Sequence, residues 1–352
     1  MSCLAERIYL VLNYPSQSQT KTLLTGIKQD LENPNVYYIT GFTEETSNSN
    51  NHKIISTANK QSNYTTFVYK GSLSGKSISD KSNWHIFNFP SSPGKTVNNT
   101  NLYGPSIFPN NEKIRVVGNY TTVEGGNKTF GCLYQGRLEG EGKWFNINPP
   151  NSVNAICHSS MSNLIVGNYL VGENQNSKAF VYNIRKNKYI DVIKPGATSI
   201  TCYGIWKNSE NHSKNCGKNH YTICGGFSEH EGTYTGDHLG YVVDYCDGEF
   251  INWQSYNYNN SKGLITHFEG ISGTDDGKYS LATDSISDGK EIASIAHIKR
   301  RSNGKFSSKA KWEEVSVPNQ STNSANSIAG TTVIGVASSN SAIIDGFVSI
   351  LI

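Results

Sequence analysis

The sequence predicts an all-β protein built from structural repeats, and three observations support this prediction. Gly (33) and Tyr (20) are abundant among the 352 residues, whereas only 17% of the residues are charged. Pleated sheets favour aromatic residues, and tight turns use Gly and Asn. The second observation is a four-segment pattern that recurs along the chain. The third is one apolar segment that precedes the first copy and has no counterpart.

Composition also excludes several classes of protein. The hydrophobic fraction of 36% supports a large core, and the net charge of +3 is too small for a dedicated nucleic-acid binder. The apolar runs are far shorter than the roughly 20 residues that a membrane helix needs. We therefore expect a protein without nucleic-acid or membrane partners. Charged residues at positions 6 and 7 argue against a signal peptide, and the compartment stays open.

The recurring pattern defines the predicted elements in chain order. A segment ending near Gly is followed by two or three apolar residues with Gly and an aromatic, then by an apolar segment that closes in a turn, then by a segment containing Trp or Tyr. Self-similarity of this kind is the signature of repeat architectures. The predicted repeats cover residues 20–95, 100–150, 153–195, 199–256, 265–317 and 324–352. The longest insertion, residues 43–62, falls in the first repeat.

The sixth repeat ends after three segments, whereas residues 7–12 form an apolar strand that belongs to no repeat. A ring that pairs this strand into the last repeat explains both facts, because a closed ring leaves no long unpaired edge. We therefore predict a six-bladed β-propeller of four-stranded antiparallel blades, closed by the N-terminal strand. The whole chain would form one domain, which we expect to be a monomer.

The second segments carry a resemblance to a known repeat. Val116-Val117-Gly118, Ile165-Val166-Gly167 and Ile334-Gly335 resemble the extracellular repeats called HAF in bacterial proteins. The resemblance covers nearly the whole chain. It implies a propeller-like fold and assigns no chemistry.

The first segment of each repeat is expected to line the central channel, where propellers present their ligand sites. Alternation along a strand predicts which residues face the channel. The predicted channel-facing residues are Thr25, Tyr103, Cys157, Tyr203, Glu269 and Ala329, together with Leu23, Asn101, Ala155, Thr201, His267 and Ser327. The residues predicted to pack between blades are Leu24, Leu102, Ile156, Cys202, Phe268 and Ile328.

His267 and Glu269 are the candidate catalytic residues. They lie about 6.5 to 7 Å apart on one face of a predicted strand. An imidazole and a carboxyl group can transfer protons near neutral pH. Alternatively, the two side chains make hydrogen bonds that only tie the inner strands together. The candidate ligand-binding residues are Tyr103, His158, Tyr203 and Trp206. The two tyrosines would stack on a sugar or another flat ligand, or would belong to the core.

The seven cysteines contain no CxxC pair, so we predict no zinc site built from paired cysteines and no cofactor. His212, His220, His230 and His238 lie near Cys216 in the fourth repeat, but their spacing matches no standard metal site. A solvated polar loop is the preferred interpretation. Free cysteines behave as small apolar residues, and we expect Cys202, Cys224 and Cys246 to be buried in strands.

Two functions remain open. The first is a ligand-binding propeller that holds a carbohydrate or another small molecule at the channel mouth. The alternative is a single-site enzyme, a hydrolase, isomerase or cyclase, that uses His267 and Glu269 as an acid–base pair. Differences between the blades at polar inner positions favour one asymmetric pocket. The sequence does not decide whether the protein is an enzyme, and binding is the preferred function.

Overall fold

The computed structural model describes residues 6–16, 20–45, 64–108, 113–126, 128–172, 176–209, 216, 219–229, 238–261, 265–287, 289–320, 322–338 and 344–351. Most of the predicted insertion 43–62 lies outside these residues. Within them the chain forms 25 β-strands and one short α-helix. No helix among the described residues is long and apolar enough to cross a membrane.

The strands form six antiparallel sheets, each of which is one blade. β1 (Arg7–Val11) precedes the first blade. Blade one contains β2 (Thr20–Gln29), β3 (Tyr37–Glu45), β4 (Tyr64–Gly71), α1 (Gly75–Ser79) and β5 (Trp84–Ile86). Blade two contains β6 (Val97–Ile107), β7 (Ile114–Thr122), β8 (Thr129–Gly136) and β9 (Gly142–Asn146). Blade three contains β10 (Ser152–Met161), β11 (Leu164–Val171), β12 (Lys178–Asn183) and β13 (Lys188–Val192).

In blade four the inner strand is interrupted. The blade contains β14 (Ser199–Ile200), β15 (Gly204–Lys207), β16 (His220–Ser228), β17 (Leu239–Cys246) and β18 (Glu249–Tyr256), and both β14 and β15 pair with β16. Blade five contains β19 (Ile265–Gly273), β20 (Lys278–Ser287), β21 (Lys290–Lys299) and β22 (Lys311–Glu314). Blade six contains β23 (Thr322–Ala329), β24 (Thr332–Ser338) and β25 (Ile344–Leu351).

The N-terminal strand completes blade six. β1 pairs antiparallel with β25, from Arg7 opposite Leu351 to Val11 opposite Phe347. The resulting four-stranded sheet has the order β1-β25-β24-β23. Blade six packs against blade five on one side and against blade one on the other, which closes the ring. The predicted six-bladed propeller with N-terminal closure is confirmed.

The core lies between the blades rather than inside any one of them. Each of the six junctions between neighbouring blades holds a hydrophobic cluster of residues from both sides. Every inner strand contributes one completely buried residue at the same level of the ring. These residues are Leu24, Leu102, Cys157, Cys202, Phe268 and Ala325.

A break in pairing follows each of these buried residues. The inner strands of blades one, two, three, five and six have a β-bulge there, and in blade four the gap between β14 and β15 lies at the same level. A bulge leaves one residue unpaired and re-aims its side chain. The residues at these bulges and at the gap are Thr25, Tyr103, His158, Tyr203, Glu269 and Asn326. We call this set the bulge ring.

The bulge ring corrects the predicted register in two blades. Cys157 and Ala155 were expected to face the channel, but both are completely buried in the cluster between blades two and three, while Ile156 is half-buried. In blade six, Asn326 takes the position that the sequence pattern assigned to Ala329. The residue after the bulge is Gly in four blades but Ser159 and Ser327 in these two. The predicted register was aligned on that Gly, so it was shifted in the two blades that have Ser instead.

Candidate functional site

A cavity of about 350 Å³ occupies the central channel. All six residues of the bulge ring line it, together with residues that follow them on each inner strand. The cavity therefore lies toward the ends of the inner strands, where each strand turns into the second strand of its blade. Because the six positions of the bulge ring carry five different types of side chain, the six-fold backbone encloses an asymmetric pocket.

One half of the bulge ring is aromatic. His158 lies between two tyrosines, with ring-centroid distances of 5.0 Å to Tyr103 and 4.5 Å to Tyr203. Its Nε2 is 3.0 Å from the side-chain amide of Asn168. Burial lowers the pKa of His158 to about 3, so this imidazole is neutral under physiological conditions. The ring planes are inclined to one another by 56° and 80°, so the three rings give the cavity an aromatic wall against which an apolar side of a ligand can pack.

The other half of the bulge ring is polar. Thr25 Oγ1 donates to the Leu102 carbonyl oxygen at 2.5 Å, and the Asn326 amide donates to the Leu24 carbonyl oxygen at 2.6 Å. Each of these bonds joins the side chain to the inner strand of the next blade. The bulge ring therefore fixes the spacing of the inner strands and at the same time presents polar atoms to the cavity.

Glu269 is the carboxylic acid of the bulge ring, and its pKa is displaced upward. Burial and the nearby carboxyl groups of Asp284 and Glu291 raise its pKa well above the ordinary value for Glu. The described residues give this carboxyl group no hydrogen bond, and its nearest basic partner is His267 Nδ1 at 4.0 Å. Its charge in turn adds to the effect of burial that raises the pKa of Tyr103 to about 12. A protonated carboxyl group in this position can donate a proton or a hydrogen bond.

His267 does not line the cavity. It lies on β19 two residues before Glu269, closer to the beginning of the strand. Burial and the neighbouring His238 lower the pKa of His267 to about 4, and the two ring centroids are 5.5 Å apart. Asp284 is its partner in the register on β20. Blade five thus brings His267 and Glu269 together, as the strand spacing predicted, but with the imidazole neutral and the carboxyl group favouring its protonated form.

The cavity wall contains a cation that the sequence analysis missed. Lys28, at the end of β2 in blade one, places its Nζ 5.0 Å from the ring centroid of Trp206 on β15 in blade four. Burial lowers the pKa of Lys28. No carboxylate forms an ion pair with this ammonium group within the described part of the chain. Lys28 lies two residues beyond Gly26 on the inner strand of blade one. This position was the one feature of the sequence that could have indicated that Lys28 faces the channel.

Of the six predicted site residues, five line the cavity, namely Tyr103, His158, Tyr203, Trp206 and Glu269. Trp206 is held in place by the backbone of Gly273, where a Cβ atom would lie only 2.5 Å from the indole Nε1. Asn326 and Lys28 also place polar side chains in the cavity lining, and the sequence did not predict either of them. Catalytic roles for His267 and Glu269 stay a prediction.

The histidine-rich segment of blade four is only partly described, because His212 and His230 lie outside the described residues. His220 is buried and not part of a solvated loop. Cys202 and Cys224 are buried free cysteines, as predicted, but Cys246 forms a disulfide with Cys216. One group of described residues has the geometry to hold a metal ion, namely Cys216, His220 and Cys246. It lies outside the cavity.

No protein-family model matches the chain, and no characterised protein matches it in sequence. Solved structures do match it. The chain is similar to the α-L-arabinanase of Penicillium chrysogenum in complex with arabinobiose, with 12% identity, a TM-score of 0.51 and coverage of 97% of this chain and 98% of that one. It is also similar to the α-L-arabinofuranosidase of Fusarium graminearum with arabinobiose, with 11% identity, a TM-score of 0.51 and coverage of 97% and 96%. At such identities the similarity shows the propeller fold.

Proposed function

We propose that the protein binds a carbohydrate in the central cavity, and that the preferred sugars carry a carboxylate. The observation that supports this most directly is the bulge ring, in which aromatic faces and hydrogen-bonding groups meet in one cavity of about 350 Å³. Sugars offer apolar C–H faces to aromatic rings and hydroxyl groups to polar side chains. The two similar propellers that were solved with arabinobiose agree with a sugar of one or two units.

The charge distribution supports the acidic class of sugar. Among the described residues that line the cavity, Lys28 is the only Lys or Arg, and Asp30, which also lines it, accepts hydrogen bonds through its carboxylate from the backbone N–H groups of Glu32 and Asn33. A buried ammonium group without an anionic partner is costly, which is why burial lowers its pKa. A ligand carboxylate would offset this cost by pairing with Lys28. The protonated form of Glu269 would donate to the same ligand without repelling it.

Titration calorimetry with galacturonate and galactose tests the proposal. We expect binding of the acidic sugar and weaker binding of the neutral one. The Lys28→Met variant should lose the preference, because it removes the ammonium group and retains most of the apolar stem. Lys76→Met is the matched control, since Lys76 is exposed on α1, far from the channel strands. Equal affinities of the parent protein for the two sugars would contradict the acidic preference, and failure of a broad glycan panel would contradict sugar binding.

A second candidate function is supported by Glu269 alone. A carboxyl group with a raised pKa at the edge of a ligand cavity is suited to act as a general acid. We propose as the alternative an enzyme that protonates a leaving-group oxygen of its bound sugar through Glu269. Glu269→Gln should then abolish turnover of a glycoside whose leaving group is an alkyl alcohol or a second sugar, because such a leaving group needs the proton, while sugar binding persists. Unchanged turnover in this variant would reject the role of Glu269.

A further inference from the structure

The Cys216–Cys246 disulfide lies beside a buried histidine in blade four. Its two Cα atoms are 5.1 Å apart, and Cys246 is opposite His220 in the register between β16 and β17. One ligand atom from each of Cys216, His220 and Cys246 lies within 4.8 Å of the others. Two sulfurs and one imidazole nitrogen therefore converge on one point, although the residues are spaced by 4 and 26 positions in the sequence.

The orientation of His220 is already fixed from its other side. Its Nε2 lies 3.0 Å from Asp244 Oδ1, and the side chains of both residues are nearly inaccessible to solvent, at 2% and 0%. Arg300 binds the same carboxylate at 2.5 Å. His220 Nδ1, in contrast, is buried and has no hydrogen-bond partner among the residues that the structure describes. Because Nε2 faces Asp244, Nδ1 is the nitrogen that remains for a ligand.

This arrangement has the parts of a metal site. Histidines that bind metals usually make a second hydrogen bond to a carboxylate, which fixes the ring and its tautomer. Zinc binds thiolate sulfur at about 2.3 Å and imidazole nitrogen at about 2.0 Å, so its ligand atoms lie about 3.3 to 3.8 Å from one another. The three groups are already within 4.8 Å. Rotation of the two cysteine side chains is the main change that binding requires once the S–S bond is open.

We propose that blade four contains a redox-exchangeable metal site, in which Cys216, Cys246 and His220 Nδ1 bind a thiophilic divalent cation of the zinc class. A dithiol reductant transfers two electrons and two protons to the disulfide, which yields two thiols and the oxidised, cyclic dithiol. The cation then displaces both thiol protons and is held by two thiolates and one neutral imidazole. Water fills the fourth position. The oxidised disulfide and the bound cation therefore exclude each other.

Cobalt titration of the full-length chain tests the site. The protein is reduced, stripped of metal with a chelator and exchanged into buffer without reductant and without oxygen before Co²⁺ is added. We expect one Co²⁺ per chain, with the thiolate-to-cobalt absorption band and tetrahedral d–d bands, and displacement by Zn²⁺. The oxidised protein should show none of these bands. Cys216→Ser should lose the thiolate band, whereas Cys157→Ala, which removes a buried free cysteine between blades two and three, should retain it.

Alkylation provides a measurement that needs no variant. In the reduced parent protein, Zn²⁺ should protect both Cys216 and Cys246 from iodoacetamide, as read by peptide mass spectrometry, and removal of Zn²⁺ should restore their reactivity. Absence of a cobalt band in the folded, reduced protein would overturn the proposal. So would an unchanged band in Cys216→Ser, or alkylation of the two cysteines at the same rate with and without Zn²⁺.

Discussion

Gly104 is a residue at which the channel leaves no room for a side chain. It follows Tyr103 of the bulge ring, and a Cβ atom at this position would lie 2.8 Å from both the His158 carbonyl oxygen and the Ser159 Cα. Both contacts are with backbone atoms of the neighbouring inner strand, which cannot move independently of blade three. The small residue therefore sets how closely two inner strands approach and how the rings of Tyr103 and His158 meet.

We expect Gly104→Ala to lower the free energy of unfolding by about 1 to 3 kcal/mol, the usual cost of an overpacked contact. Chemical denaturation monitored by tryptophan fluorescence measures the change. Gly75→Ala is the matched control, because no atom lies within 4 Å of a Cβ built at Gly75. A loss of stability in Gly104→Ala no larger than in the control would show that the inner strands separate freely.

At the same scale, the sequence predicted five of the candidate site residues that line the cavity, because a Gly or an aromatic marked their positions. It could not predict Asn326 or the burial of Cys157. A bulge adds one residue without changing residue types, so strict alternation fails after it. In blades three and six the small residue after the bulge is Ser, which is also a common surface residue. Lys28 was missed because only the fold brings it opposite Trp206, 178 positions further along the chain.

Among the strands, β1 is the one that precedes all six repeats, and it nevertheless closes the ring by pairing with β25. Leu12, directly after this strand, is completely buried in the cluster between blades six and one, and its amide donates to the Gly346 carbonyl oxygen at 2.8 Å. Val11, one residue earlier, is 57% exposed. Arg7 connects the same strand to Glu313 of blade five at 2.5 Å. Closure of the ring thus depends on side chains from both faces of β1, since Tyr9 packs against the cluster between blades five and six and Leu10 against the cluster between blades six and one.

We expect Leu12→Ala to destabilise the protein by about 2 to 5 kcal/mol, because it removes buried methyl groups and leaves a cavity at the closure. Val11→Ala, at an exposed position, should change stability by less than about 0.5 kcal/mol. Thermal unfolding of both variants under identical conditions makes the comparison. Similar shifts of the melting temperature in the two variants would mean that the closing strand contributes only backbone pairing.

The elements themselves were largely predictable. Repetition of the four-segment pattern identified the blades, because each blade has to bury the same faces against its neighbours. The interruption between β14 and β15 was not predictable, since Thr201, Cys202 and Tyr203 have good strand propensity. The buried ion pair of Arg300 was not predictable either, because Arg300 lies in the basic run 299–301, which is typical of an exposed hairpin. Its partner Asp244 is in the preceding blade, at a distance of 2.5 Å.

For the whole molecule, ionisable groups buried in the ring determine how stability depends on pH. Burial and the neighbouring Glu291 raise the pKa of Asp284 from 3.8 to about 8, so the folded state binds more protons than the unfolded state up to that pH. The raised pKa of Asp284 therefore lowers the free energy of unfolding as pH rises from 3.8 toward 8. Burial lowers the pKa of His158 to about 3 and of His267 to about 4, and these groups weaken the fold as pH falls below 6.5.

The two effects have opposite signs, and the histidine effect fades as pH rises above 6.5, because the imidazoles of the unfolded state then lose their protons as well. The melting temperature of the parent protein should therefore fall between pH 6.5 and 8.5. Asp284→Asn should make this decline shallower, because the amide does not titrate, while Glu269, whose pKa is also raised, still contributes. Differential scanning calorimetry across the pH series gives the result. A variant that declines as steeply as the parent protein would assign the effect to other groups.

The pairing of β1 with β25 also has a kinetic consequence. Arg7 lies opposite Leu351, 344 positions away, whereas every other strand pair joins segments of the chain that belong to the same repeat. The entropy of loop closure grows with the logarithm of loop length, so this contact costs about 3 kcal/mol more than a hairpin of ten residues. Contacts between distant residues slow folding. The blades should therefore assemble first as an open arc, and joining its two ends should be the last and slowest step.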